Sequence, residues 1–148
     1  MTTADSSSAP LDREVAPNPA IVCYVDPDQI KEDVSIDLAN LTGAMQRQTG
    51  LFVHYASLSV KARRQHDRSK LVLEILESQL DSEYRKVLKE ENPKTTEGQI
   101  RAAVVSDNRW KNASARVIDA NQEFRLAEVA QNRSEEHTSE LQSRSAIS

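Results

Sequence analysis

Five cations crowd one stretch of an otherwise acidic chain: Lys61, Arg63, Arg64, Arg68 and Lys70, with Asp67 the single acid among them. The 148 residues carry a formal charge of −4, and the ten residues from Lys61 to Lys70 run against it at +4. Lys61, Arg64 and Arg68 stand at i, i+3 and i+7, which sets three cations on one face of a helix. Such a stripe neutralises phosphates without reading bases, the chemistry of a sequence-tolerant single-strand binder. The competing reading is a solvated face, or ion pairs to Glu74 and Glu77 at helical spacing. His66 sits inside the patch and reads as a bystander rather than a ligand. Arg116 and Arg125 are expected to lie outside the patch.

Nothing else in the chain assembles into reactive chemistry. Cys23 has no histidine near it in sequence. His54 and His66 are too few for a metal cluster, and no glycine-rich phosphate loop is present. The carboxylates fall in mixed-charge helical runs. The expectation is a non-enzymatic protein with no metal and no cofactor of its own. A lone cysteine allows no intramolecular disulfide and points to a reducing compartment. No apolar run approaches the roughly 20 residues of a membrane span. Residues 1–19, rich in Ser, Thr, Ala and Pro, lack the layout of a signal peptide and read as a disordered leader. A cytoplasmic protein with no membrane partner is expected.

The elements that must position the basic stripe are helices. Only 4% of residues are aromatic and three are glycine, while 28% are charged, which suits narrow apolar seams better than a thick core. Ala20-Ile21-Val22-Cys23-Tyr24-Val25 could form a strand or an extended docking arm. As a lone strand it would have to pair with another protomer or lie on a helix groove. Asp26-Pro27-Asp28 reads as the start of a short helix, Asp26 as cap and Pro27 at the first helical position. Asp37 is a good N-cap for a long helix reaching Glu90, roughly 80 Å at 1.5 Å per residue.

Alternating steps of three and four give that helix a seam: Leu38, Leu41, Met45, Gln48, Phe52, Tyr55, Ser59, Ala62, His66, Ser69, Leu73, Leu76, Leu80, Glu83 and Val87. It is weak between Ser59 and Ser69. Gly43 and Gly50 mark either a hinge or a close backbone approach, with a break near Thr49-Gly50 one outcome. Asn92-Pro93 ends the helix. Thr96 and Gln99 form a capping box for a short helix through Val105. Asp107 caps a last helix with a cleaner seam, Trp110, Ala113, Val117, Ala120, Phe124 and Ala127. Trp110 and Phe124 read as core. The fold class is therefore all-α: a long helix with shorter helices folded back on it, coiled-coil-like and oligomeric. A helix that long is not stable alone in water.

Residues 133–148 stand apart. Arg133-Ser-Glu-Glu-His-Thr-Ser-Glu-Leu-Gln-Ser143 resembles the conceptual translation of a common short-read sequencing adapter. On that reading the helical domain spans 20–132, and the remainder is an artefact that continues neither seam. Setting it aside removes Arg133 and Arg144 against Glu135, Glu136 and Glu140, so the charge moves from −4 to −3.

One local match points to a family. Ile30-Lys31-Glu32-Asp33-Val34-Ser35-Ile36-Asp37, with Leu41 four residues on, resembles the N-terminal signature of UvsY-type phage recombination mediators. That pattern is an aliphatic residue, lysine, a charged residue, then Asp-Val-x-Ile-Asp and a spaced leucine. The resemblance covers roughly residues 28 to 90. It implies a homo-oligomer in the host cytoplasm that binds single-stranded DNA, weakens the hold of single-strand-binding protein and loads a RecA-like recombinase without a cofactor. One feature does not carry over. The family has a basic Lys-Ala-Arg-Leu stretch in its long helix, implicated in DNA contact, where this chain has Glu77-Ser78-Gln79-Leu80. The expected DNA-contacting residues are instead Lys61, Arg63, Arg64, Arg68 and Lys70. The alternative reading is a phage helical scaffold or coiled-coil interaction protein without DNA binding.

Overall fold

The computed structural model describes residues 20–33, 35 and 39–147. The leader before residue 20 lies outside the described residues, as do Val34, Ile36, Asp37 and Leu38. Among the described residues four helices follow in order: α1 Pro27–Asp33, α2 Leu41–Glu91, α3 Glu97–Ser106 and α4 Asn108–Ile147. Among the described residues there is no strand. The long helix α2, 51 residues and about 76 Å at the usual helical rise, is paired along its length by α4, with α3 packed at the turn.

Local hydrogen bonding explains the punctuation. Asp26 accepts from the Asp28 backbone N–H at 3.0 Å and opens α1 ahead of Pro27. Asn92-Pro93 stops α2, since proline offers no N–H and restrains the residue before it. The Thr96–Gln99 capping box is reciprocal, each side chain bonded to the other's backbone N–H. Asp107 accepts from the Arg109 N–H at 2.8 Å at the head of α4. The start of α2 differs from expectation. Asn40 is its cap, accepting from the Gly43 N–H at 3.0 Å. No break occurs at Thr49-Gly50, because α2 is continuous through both. Gly50 faces open space, while a Cβ on Gly43 would meet the capping side chain of Asn40. Gly43 thus sits under its own helix cap with no second backbone near it, and neither glycine marks a hinge or a close backbone approach.

α4 runs antiparallel to α2. Near the turn, Glu83 pairs with Arg109 at 3.0 Å and Glu77 accepts from the Trp110 indole N–H at 2.8 Å. Farther along, the rings of His66 and Phe124 stack with centroids 6.4 Å apart. The buried residues of α2 from Gln48 to Leu80 all lie on the expected seam, whereas Ala44 rather than Met45 is buried at the N-terminal end. Opposite them, α4 buries Ala113, Ala120 and Ala127, one heptad apart. The middle of the α2 seam, Ser59, Ala62 and Ser69, is small rather than weak. Small residues on both helices favour the short end of the usual interaxial range of about 8–10 Å. Larger side chains gather at the turn, where Leu80, Ile100 and Val104 are almost fully buried. Trp110 and Phe124 border this seam half-buried rather than filling it.

Residues 133–147 overturn the expectation that they continue neither seam. α4 runs through them without interruption. Ser134 and Leu141, both 0% exposed, fall at the heptad position of Ala113, Ala120 and Ala127. Carried on residue for residue, the antiparallel register sets Ser134 beside Tyr55 and Leu141 beside Gln48. The physical reason is that Ser134 and Leu141 sit seven and fourteen residues after Ala127, on the same face.

Residues 20–25 form no strand and lie in an extended arm on the hairpin. The Val22 N–H donates to Gln65 Oε1 at 2.9 Å, and Gln65 Nε2 donates back to the Val22 carbonyl at 3.1 Å. A glutamine amide thus supplies the donor and acceptor that a neighbouring strand would offer. Val25 anchors the arm in a cluster with Tyr55, Ala62, Ala127 and Ala130. At the arm's far end α1 is tied down by Tyr55, whose hydroxyl donates to Asp33 at 2.5 Å, and by Gln48, whose amide donates to the Asp33 carbonyl at 2.9 Å.

Candidate nucleic-acid interface

The central turns of α2 carry the basic stripe, on the helix side left uncovered where Ala62 and Ser69 face the seam. Lys61, Arg63, Arg64, Arg68 and Lys70 are all exposed. Among the described residues none of the five is engaged in an ion pair or hydrogen bond within the chain. The alternative of ion pairs to Glu74 and Glu77 is not what the side chains do. Glu77 is taken by Trp110 and by Arg101 at 3.5 Å.

The five cations do not share one surface. Lys61, Arg64 and Arg68 line a groove of about 640 Å³ closed on its other sides by Val22 and Tyr24 of the arm and by Arg116 of α4. Arg63 lines a shallower trough on the outer side of α2 with Val60, Asp67 and Leu71, and Arg64 and Arg68 border that trough too. Lys70 faces a third cleft between α2 and α4 with His66, Leu73, Val117 and Ile118. The i, i+3, i+7 trio is therefore the coherent unit, and Arg63 and Lys70, one heptad apart, lie together on a different stripe of α2.

Two groove residues were not expected there. Arg116, anticipated outside the patch, joins the trio because the antiparallel return of α4 brings it back across the seam. Its Nε is buried with no hydrogen-bond partner. The available signal was its place three residues after Ala113, which flanks the seam and so borders α2. Tyr24 reaches the groove on the arm and packs partly against the core cluster. The sequence offered residues 20–25 as an arm lying on a helix groove, but no spacing rule says which part of the groove it meets. Arg125 is exposed and does not line the groove.

The other candidates hold no reactive geometry. Tyr55 is 3% exposed and its hydroxyl is committed to Asp33, so its ring is closed to a ligand. Cys23 is exposed, and the charge of Glu123 beside it, with a hydrogen bond to the same carboxylate, pushes its thiol up and makes the nucleophilic thiolate scarcer. His66 is occupied in stacking on Phe124. Among the described residues no group of three or more His, Cys, Asp or Glu is placed to hold a metal ion, and no helix is long and apolar enough to cross a membrane. Comparison with protein-family models, with curated proteins and with solved structures finds nothing that matches this chain.

Proposed function

We propose that the groove bordered by Lys61, Arg64 and Arg68 binds the phosphate backbone of single-stranded DNA, and that the protein is a non-enzymatic recombination mediator. In that role it acts as a homo-oligomer, loosens single-strand-binding protein and helps to seat a RecA-like recombinase. The observation that carries the reading is three cations on one helical face, exposed and unpaired within the chain. A protein that leaves its cations unpaired in a groove holds them ready for an anion supplied from outside, and a row of them suits a polyanion. The resemblance of Ile30–Asp37 to the mediator signature supplies the biological context.

The test is a titration of single-stranded and duplex oligonucleotides at several salt concentrations. Each lost phosphate contact flattens the log-affinity against log-salt slope by about 0.7 for single strands. The triple change Lys61→Ala, Arg64→Ala, Arg68→Ala should weaken binding to all sequences alike and flatten the slope accordingly. An unmodified protein that binds no DNA at low salt would remove the proposal.

A second reading, a helical scaffold or coiled-coil interaction protein, is favoured by a different observation. Val53, Val60, Leu71 and Ile75 are each more than half exposed on the outer side of α2. That row suits a helix of another protomer. Light scattering of the unmodified protein with Leu71→Glu and Ile75→Glu variants tests it: loss of mass with DNA binding absent leaves the scaffold reading alone.

A further inference from the structure

We infer that Tyr24 and Arg116 form a nucleotide subsite in this groove, Arg116 taking a phosphate and the Tyr24 ring taking an unstacked base. The inference rests on the single-strand reading above and adds how the groove would prefer single strands to duplex. Tyr24 comes from the arm, Arg116 from α4 and the basic trio from α2, so three separate segments converge on one cavity. Arg116 lines it with a guanidinium whose buried Nε has no acceptor within the chain. With no acceptor of its own in the chain, the Arg116 guanidinium offers a phosphate in the groove the planar donor fork that suits it.

Tyr24 adds what cations cannot. It is half-buried, supported by the cluster of Val25, Tyr55, Ala62, Ala127 and Ala130, and it lines the same cavity as four cations. An aromatic ring beside a row of phosphate-binding groups is the pairing from which sequence-tolerant single-strand recognition is built. A duplex keeps its bases stacked within and offers the ring nothing, while its phosphates still meet the cations. The arm is held on the helix by the reciprocal Gln65–Val22 hydrogen bonds. Gln65 therefore acts as a positioning residue for Tyr24.

The experiment is a fluorescence-anisotropy titration of the full chain with a single-stranded oligonucleotide, the same length of abasic strand, and the duplex. Tyr24→Leu keeps the apolar packing and removes the ring. It should weaken single-strand binding by about five- to tenfold, the low end of one base stack, with the salt slope unchanged and abasic and duplex binding unaffected. Tyr24→Phe should restore the affinity. Gln65→Ala should mimic Tyr24→Leu. Arg116→Gln should flatten the salt slope by about 0.7 on the normal and abasic strands alike. If the unmodified protein binds no single strand, both this subsite and the reading beneath it fall. If it binds, the Lys61, Arg64, Arg68 triple variant weakens it, and Tyr24→Leu and Arg116→Gln change nothing, the subsite alone is wrong. Circular dichroism of each variant against the unmodified chain separates loss of contact from loss of fold.

Discussion

The Tyr84 hydroxyl donates to the Asp107 carboxylate at 2.8 Å, fastening the junction of α3 and α4 to the long helix. Asp107 also accepts from the backbone and guanidinium of Arg109. Burial alone would raise the Asp107 pKa, but the hydrogen bonds from Arg109 and Tyr84 outweigh it and hold the carboxyl below its ordinary value. Burial, and then the hydrogen bond to Asp107, push the Tyr84 phenol up to about 12.

This pair sets a pH window. The folded chain holds the Tyr84 proton more tightly than the unfolded one. Its contribution is therefore complete below the ordinary phenol value of 10.0 and is lost as the pH climbs to about 12. Asp107 runs the other way: its contribution is complete above the ordinary value of 3.8 and is lost as the pH falls below it. Tyr84→Phe should cost about 1 kcal/mol at neutral pH. The difference between its melting curve and that of the unmodified protein should shrink across the alkaline range. A difference that stays constant there would contradict the assignment.

Gly50 and Gly43 should respond in opposite directions to the same change. Gly50 lies inside α2 with open space around it, so Gly50→Ala should stabilise by about 0.5–1 kcal/mol through the unfolded chain's lost freedom. A Cβ on Gly43 would come within 2.5 Å of the Asn40 side chain that caps the helix. Gly43→Ala should therefore gain little or lose stability as the cap is displaced. Chemical denaturation of the two variants side by side decides it; equal gains would mean the Asn40 cap carries no weight.

A chain ending at Asn132 should melt lower than the full one. It loses the buried Ser134 and Leu141 and uncovers the α2 seam around Gln48 and Tyr55. Leu141→Ala by itself should cost about 2–5 kcal/mol, and each kcal/mol moves the Tm of a chain this size by about 2–4 °C. An unchanged Tm on truncation would show that the adapter-like segment adds nothing to the fold.

The small-residue seam should resist enlargement. Ala120 is 0% exposed between the two long helices, and Ala120→Leu should cost about 1–3 kcal/mol by forcing them apart. Ile118, on the same helix and 65% exposed, is the control: Ile118→Gln should shift stability by less than about 0.5 kcal/mol. If Ala120→Leu is as mild as the control, the helices are not packed through alanine.

What the sequence made legible was whatever is decided within a few residues. The Asp26-Pro27 start, the Asn92-Pro93 stop and the Thr96–Gln99 box each rest on interactions within four residues. The three-four seam was equally readable because it is a periodicity. Asn40 displaced Asp37 as the cap because both residue types satisfy the same orphan N–H groups, and only geometry chooses between them. The stretch from Ser59 to Ser69 looked deficient because apolar size was the yardstick, whereas a narrow interface against Ala120 and Ala127 calls for small side chains. Of the groove, the α2 trio was visible as a spacing. Arg116 and Tyr24 were not, since they arrive from opposite directions along the chain and meet only after the hairpin and the arm have formed.

Alanine at three successive heptad positions of α4, Ala113, Ala120 and Ala127, has one awkward consequence: that part of the ladder is nearly self-identical. Slide α4 along α2 by one heptad and Ala113 takes the place of Ala120, Ala120 that of Ala127, with little change in the fit. The seam therefore measures helix separation well and axial position poorly. Position must come from contacts that do not repeat: the Glu77–Trp110 hydrogen bond, the Glu83–Arg109 pair and Tyr84 on Asp107 crowd at one end, with the His66–Phe124 stack and buried Leu141 farther along. They work as a detent on a smooth rail. Weakening them should give a hairpin that keeps its helicity yet settles in more than one alignment, and because Arg116 rides on the sliding helix, a one-heptad slip would carry it about 10 Å away from Lys61, Arg64 and Arg68.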